Sequence, residues 1–380
     1  MFKSRRNKIL EVTLLLSLLI LLGSCSQKTN HEKKISIVFE KSPQVFPSFK
    51  TFQIALADLD ADGDLDAIFS MNDKNNCRVL FNDGKGYFVD SGQRLTEKGH
   101  GVGIGDLDGD GDFDMLMTCA GYEHASRVYW NDGKGKFTDS GQDLGDLEKS
   151  GNAVYLHDID GDGDLDGMID YFEEVNIIYL NNGRGIFVDS GQRYPDDTSF
   201  VDLDSDGNVD MFVCEMGSGY RTLLNDGGGK FQESAFLSDA NLIRCFTGYG
   251  DLDLDGDLDL VVTNGDRRQS FPTRILFNDG KGNFKFGDQN LTPVYAGRVG
   301  IGDLNGDNHL DVVLTSYNKP NEIWLGNGRG GFIKTLELED KGAFHTALLE
   351  DLDNDGDRDL IIAHYAQPLG SNEIWFNEKR

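Results

Sequence analysis

Asp106-Leu107-Asp108-Gly109-Asp110-Gly111-Asp112-Phe113-Asp114, followed by the apolar triplet Met115-Leu116-Met117, is the stretch that decides the fold. Its pattern of acidic residues at alternate positions recurs from Asp58, Asp106, Asp158, Asp202, Asp251, Asp303 and Asp351, at intervals of 48, 52, 44, 49, 52 and 48 residues. A second marker keeps the same phase: Asn82-Asp83-Gly84, Asn131-Asp132-Gly133, Asn181-Asn182-Gly183, Asn225-Asp226-Gly227, Asn278-Asp279-Gly280 and Gly326-Asn327-Gly328. Asn-Gly and Asp-Gly pairs accept positive φ, so each marks a β-hairpin. The apolar triplets before each hairpin and after each acidic loop are too short for buried helices and read as core strands. One period therefore holds a strand before the acidic loop (A), one after it (B), one running into the hairpin (C) and one leaving it near a Phe (D). Four antiparallel strands in each of seven periods predict an all-β chain, a seven-bladed β-propeller.

The two ends of the repeat test that reading. The chain finishes at Ile374-Trp375-Phe376-Asn377, which is strand C of the seventh period with no strand D behind it. Phe39-Glu40-Lys41-Ser42-Pro43-Gln44 parallels Phe88-Val89-Asp90-Ser91-Gly92-Gln93, one period further on. The N-terminal segment is thus expected to supply the missing strand and close the ring, removing an exposed sheet edge.

In each acidic loop, positions 1, 3 and 5 aim carboxylates at one centre. Gly at position 6 permits the sharp turn, position 7 offers a backbone carbonyl and position 9 can bind through both carboxylate oxygens. Hard oxygen donors, six or seven in a flexible loop, suit Ca²⁺ better than Mg²⁺ or a transition metal. A single loop of this kind might be only a turn, since Asp and Gly are ordinary turn formers, but seven in register argue for up to seven calcium sites. The candidate ligands are Asp58, Asp60, Asp62, Asp64 and Asp66; Asp106, Asp108, Asp110, Asp112 and Asp114; Asp158, Asp160, Asp162, Asp164 and Asp166; and Asp202, Asp204, Asp206, Asn208 and Asp210. The remaining three loops add Asp251, Asp253, Asp255, Asp257 and Asp259; Asp303, Asn305, Asp307, His309 and Asp311; and Asp351, Asp353, Asp355, Asp357 and Asp359. Position 12 is Phe69 or Met117 where an EF-hand would carry a bidentate Glu, so these are not EF-hands. Loop 6, with Asn305, Asn308 at the turn and His309, is expected to bind weakest, His309 offering its carbonyl with the imidazole outside. The apolar residue at position 2, from Leu59 to Leu352, is expected to anchor each loop in the core.

On these residues the chain resembles the FG-GAP, or VCBS-type, repeat family, known from integrin α-subunit propellers and many bacterial surface proteins. The resemblance spans residues 36–380 and implies calcium in the matching loops. It implies little about a biological role.

Ahead of the repeats, Lys3, Arg5, Arg6 and Lys8 precede the apolar run Val12 to Leu22, too short for a comfortable membrane span and typical of a signal peptide. Leu22-Gly23-Ser24-Cys25 resembles a bacterial lipobox. The expected organisation is a lipoprotein signal peptide at 1–24, a polar tether at 25–35 starting from lipidated Cys25, and the propeller at 36–380. Such a chain would be exported and held at a bacterial membrane by its lipid anchor alone. Cys77, Cys119, Cys214 and Cys245 show no CxxC spacing and allow three disulfide pairings. A formal charge of -29 would repel phosphate backbones, which argues against nucleic acid as a partner.

Chain connectivity puts the A–B loops and C–D hairpins on one face of the disc and the B–C and D–A loops on the other. The second face is the variable one, and its candidate ligand residues are Tyr122, His124, Tyr171, Phe172, Tyr220, Arg267, Arg268, Phe271, Tyr317, His364 and Tyr365. Aromatic and Arg side chains on loops are typical of recognition surfaces for proteins or glycans. The expected function is a monomeric, calcium-stabilised binding or adhesion module at the cell surface. The competing class is a calcium-dependent, lyase-like enzyme acting on a polysaccharide. Against it, the sequence carries no nucleophile elbow and no H-E-x-x-H, and His100, His157 and His345 adjoin inner strands as structural residues would.

Overall fold

A computed structural model describes residues 37–378 except 47–49, 72–75, 97, 120–124, 146–149, 172–174, 196, 267, 295–296, 318, 339–343 and 365–371. Its strands form seven four-stranded antiparallel sheets. Blade 1 has strand A at Thr51–Ala57, B at Asp66–Met71, C at Arg78–Asn82 and D at Phe88–Asp90, and the acidic loop joins A to B as the repeat predicted. Among the described residues no helix is long and apolar enough to cross a membrane.

Closure occurs as expected. Phe39–Lys41 pairs antiparallel with Glu373–Asn377, in the register Phe39↔Asn377 and Lys41↔Trp375, and so serves as strand D of blade 7. The match to the other D strands extends to side chains. Gln44 donates Nε2 to Phe88 O (2.6 Å) and accepts from Phe88 N (3.0 Å). Gln93 makes the same two-way bridge from blade 1 to blade 2, with Gly135 O at 2.6 Å and Phe137 N at 2.9 Å. Across the same seam, Asn354 of loop 7 donates Nδ2 to Asp64 of loop 1 (2.7 Å).

The core is divided among the blade boundaries. Ile54, Phe69, Met71 and Leu80 of blade 1 pack with Leu352, Ile361 and Ile374 of blade 7, and each remaining pair of neighbours has its own cluster. Strand B, covered on both faces by adjacent blades, is buried throughout in blades 1, 2 and 3, whereas strand D alternates and faces water. A strand enclosed on both sides has no polar face to show, which is why it reads as an unbroken apolar run. Cys214 and Cys245 form a disulfide tying blade 4 to blade 5, while Cys77 and Cys119 are buried and take part in no disulfide.

Candidate metal centres and the opposite face

Each acidic loop is shaped by its own side chains. The carboxylate at position 1 accepts the backbone N–H of position 6 in all seven loops, at 2.8–3.1 Å, folding the loop around a common centre. Position 6 is left-handed throughout: Gly63 has φ 97° and Asn308, the one non-glycine, φ 64°. Asn tolerates that conformation through its short polar side chain. The position 2 residues are 0–2% exposed, as their anchoring role required.

Position 9 does more than the sequence suggested. Asp66, Asp114, Asp166, Asp210, Asp259, Asp311 and Asp359 are 0–1% exposed. Each accepts the N–H of position 2 at Oδ2, at 2.8–3.2 Å. Each also accepts the N–H of the residue opening its blade's C–D turn at Oδ1, at 2.7–2.9 Å. The expected pair of free oxygens is therefore engaged with backbone amides, and only the remaining lone pairs face an ion. Burial holds these acids up, at about 6 for Asp66, Asp114, Asp166 and Asp210 and about 7 for Asp259, Asp311 and Asp359.

The donor set fits a hard cation. In loops 1, 4 and 5 the carboxylates of positions 1, 3 and 5 (Asp58, Asp60 and Asp62 in loop 1) offer oxygens within 4.8 Å of one another. In loops 2 and 3 the convergent set is positions 1, 3 and 9, as in Asp106, Asp108 and Asp114. Asp60, Asp160, Asp204 and Asp253, all at position 3, each bury Oδ1 without any hydrogen-bond donor. Burial first, and then the neighbouring position 5 carboxylate, raises the pKa of these acids. A buried anionic oxygen with no donor is costly unless a cation meets it. Loop 6 differs: Asn305 donates Nδ2 to Asp307 (3.1 Å), and His309 places Nδ1 3.3 Å from Asp307 Oδ1. The imidazole stays half-exposed at the loop surface. It packs under the C–D turn, where a Cβ on Gly328 would come within 2.5 Å of it.

A clasp between blades follows from the same loops. The C–D turn Asn donates Nδ2 to the position 2 carbonyl of the preceding blade: Asn82 to Leu352, Asn131 to Leu59, Asn181 to Leu107, Asn225 to Ile159, Asn278 to Leu203 and Asn377 to Leu304, at 2.7–2.9 Å. Blade 6 has Gly326 instead, and there the backbone N–H of Gly330 reaches Leu252 O at 2.9 Å.

On the opposite face the sequence reading needs correction. Tyr171, Tyr220 and His364 are 2, 1 and 0% exposed and cannot meet a partner. They stand at the ends of strands B or C, which extend further than the repeat suggested and are sandwiched between blades. Arg268 is exposed, and Phe271 and Tyr317 are half-buried. Tyr122, His124, Phe172, Arg267 and Tyr365 lie outside the described residues, as do Cys25 and the rest of the N-terminal segment. His100 is buried and stacked on Phe52 at 3.9 Å, and burial depresses it to about 4, so it is a neutral core ring.

One concave feature among the described residues is the central channel. A cavity of about 210 Å³ is lined by inner strands of blades 1, 3, 5, 6 and 7, including Phe52, Tyr155, Thr247, Arg298 and Thr346. It shares Tyr155, Phe246 and Arg298 with a second cavity of about 200 Å³ that also takes in Asn152, Asp197 and Arg244. Strand A ends at the acidic loop, so Arg244 and Arg298, which directly precede strands A of blades 5 and 6, sit at the far mouth. The signal for Arg298 and its neighbour Phe246 lies five residues before each loop, where Gln53, Gly101, Ala153, Asp197, Phe246, Arg298 and Thr346 differ in every blade.

Fold and loops together define a seven-bladed propeller carrying an acidic, turn-forming loop in every blade. A family model for the FG-GAP-like repeat matches residues 58–117, 106–169, 251–314 and 303–362, and the chain belongs to this family. No curated protein matches the sequence. Among solved structures, BBS1N in complex with ARL6DN, soaked with lead, is similar at 9% identity and a TM-score of 0.57, covering 89% of this chain and 97% of that one. The Myceliophteria thermophila Cps50 (Swd1) β-propeller domain is similar at 12% identity and a TM-score of 0.56, covering 88% and 99%. At such identities the likeness speaks to fold alone.

Proposed function

We propose that this chain is a calcium-stabilised binding or adhesion module, displayed on an exported, lipid-anchored propeller and engaging a protein or glycan through the side away from the acidic loops. The observation that carries the calcium half is the set of buried, donorless Oδ1 atoms of Asp60, Asp160, Asp204 and Asp253, converging with neighbouring carboxylates. Positions 1, 3 and 5, the remaining lone pairs of position 9 and the carbonyl of position 7 would hold the ion, which supplies charge neutralisation and cross-links strands A and B. Seven ions would move the formal charge from -29 to -15 (-29 + 14), leaving a surface still unsuited to nucleic acid. Export is supported by the lipobox-like Leu22-Gly23-Ser24-Cys25 and by the inter-blade disulfide, which persists in oxidising compartments.

The test is metal content per chain after purification in calcium, with melting temperature before and after chelation. Several equivalents of calcium and a large chelator-induced drop are expected; an unchanged melting temperature refutes the structural role. Glycan and surface-protein arrays probed with the calcium-loaded chain address the binding half. Turnover of an acidic polysaccharide would overturn the non-enzymatic reading.

A further inference from the structure

We propose that the channel mouth opposite the acidic loops is a binding site for a sugar acid, whose carboxylate is received by Arg298 against the face of Phe246. This deepens the binding role proposed above and rests on it. The guanidinium of Arg298 lies 3.9 Å from the Phe246 ring centroid, with Arg244 above the same ring at 5.6 Å. Among the described residues no hydrogen bond or ion pair involves the Arg298 side chain, although the residue is half-buried and lines both channel cavities. Burial pulls its pKa down and Arg244 acts in the same sense, while Tyr155, Asp197 and Asp170 act against them, and a guanidinium stays protonated at neutral pH.

Two carboxylates, Asp197 and Asp170, also line this cavity and act on Arg298 from a distance, but the closest polar contact of each is with another residue. Asp197 Oδ1 stands 3.5 Å from Arg244 Nε, and Asp170 accepts Asn152 Nδ2 at 2.6 Å. A half-buried cation with no hydrogen-bonded counter-ion is incompletely compensated, and an incoming anion would complete it. Guanidinium groups favour bidentate oxyanion partners, and a singly charged carboxylate is better tolerated beside Asp170 and Asp197 than a doubly charged phosphate. The surrounding wall is suited to a hydroxylated ring: Ser199 and Thr247, whose hydroxyls bond each other at 2.6 Å, keep acceptor lone pairs for a ligand, and Tyr155 lines the same cavity with an aromatic ring. A cavity of about 200 Å³ limits the bound unit to roughly one monosaccharide.

The experiment titrates the calcium-loaded full chain by calorimetry with glucuronate, glucose and acetate, using wild type, Arg298→Met and Arg298→Lys. Glucuronate is expected to bind, glucose at least tenfold more weakly, and acetate more weakly than glucuronate because it lacks the ring. Arg298→Met should weaken glucuronate at least tenfold, and Arg298→Lys should retain part of the binding. Arg298→Met should also melt no lower than wild type without ligand, since it removes a desolvated charge; a clear fall would make Arg298 a structural residue and overturn the proposal. Equal binding of glucose and glucuronate, of acetate and glucuronate, or of glucuronate by wild type and Arg298→Met would each overturn it as well. Should chelation still destabilise a chain that ignores glucuronate, this inference fails while the calcium reading stands; glucuronate binding with no calcium effect is the reverse case.

Discussion

Asn278→Ala would open the clasp between blades 4 and 5. The Asn278 side chain is 3% exposed and makes four hydrogen bonds. Its Nδ2 donates to Leu203 O at 2.8 Å across the boundary and to Leu258 O at 3.2 Å within the blade. Its Oδ1 accepts from Asp279 N at 2.9 Å and Gly282 N at 3.1 Å. Alanine would leave the Leu203 carbonyl and the Gly282 amide unpaired in a buried setting, at about 1–3 kcal/mol each, so a loss of about 4 kcal/mol is expected. The Asp279 amide lies at an exposed residue and can return to water. Urea unfolding in saturating calcium, followed by circular dichroism, measures the loss, with the exposed Asn283→Ala as a control expected to cost under about 0.5 kcal/mol. Blade 6 cannot be improved by the reverse change: a Cβ on Gly326 would sit 2.1 Å from Leu310 O, so Gly326→Asn should destabilise. If Asn278→Ala cost no more than its control, the clasp would not be what secures one blade to the next.

Acidity should act in opposite directions with and without calcium. The position 9 acids titrate near 6 or 7 in the folded chain, above their usual 3.8, so between about pH 4 and 7 the native state binds more protons than the unfolded one. In EDTA, stability should therefore rise as pH falls from 7 to 5, whereas in calcium the same acidification should lower it by displacing the ion; melting curves at pH 5, 6 and 7 decide. Deleting the chain through Phe46 removes the strand paired with Glu373–Asn377 and the Gln44 bridge, and should produce lower melting and concentration-dependent association on gel filtration. Reducing Cys214–Cys245, which spans 31 residues, should cost about 3–4 kcal/mol by the chain-entropy relation, read as a shift in urea midpoint that Cys214→Ser reproduces without reductant.

The blade count, strand order and closing strand could be read from sequence because each rests on a period or a local turn preference. Gly63, Asn82-Asp83-Gly84 and the Phe39–Gln44 match all act within a few residues of chain. The buried state of Tyr171, Tyr220 and His364 depended on how far strands B and C run before the sheet ends, and no turn residue marks that point. The second role of the position 9 Asp was equally hidden. Asp66 meets Asn82 N sixteen residues away, a distance that only the folded blade closes. Arg298 and Phe246 belong to different blades, and nothing in either repeat alone brings them together.

The clasp points the same way at every boundary, from a turn on one blade to a loop on the blade before it. Each blade therefore carries a donor edge and an acceptor edge that are self-complementary only head to tail. Such a unit can be copied in tandem without inventing a new contact, because any copy accepts the one before it and grips the one after. Nothing in the clasp counts to seven. Ring size must instead come from the wedge of apolar side chains between blades, so core substitutions that thin or thicken that wedge, rather than changes to the acidic loops, are the route by which a relative could close with a different number of blades.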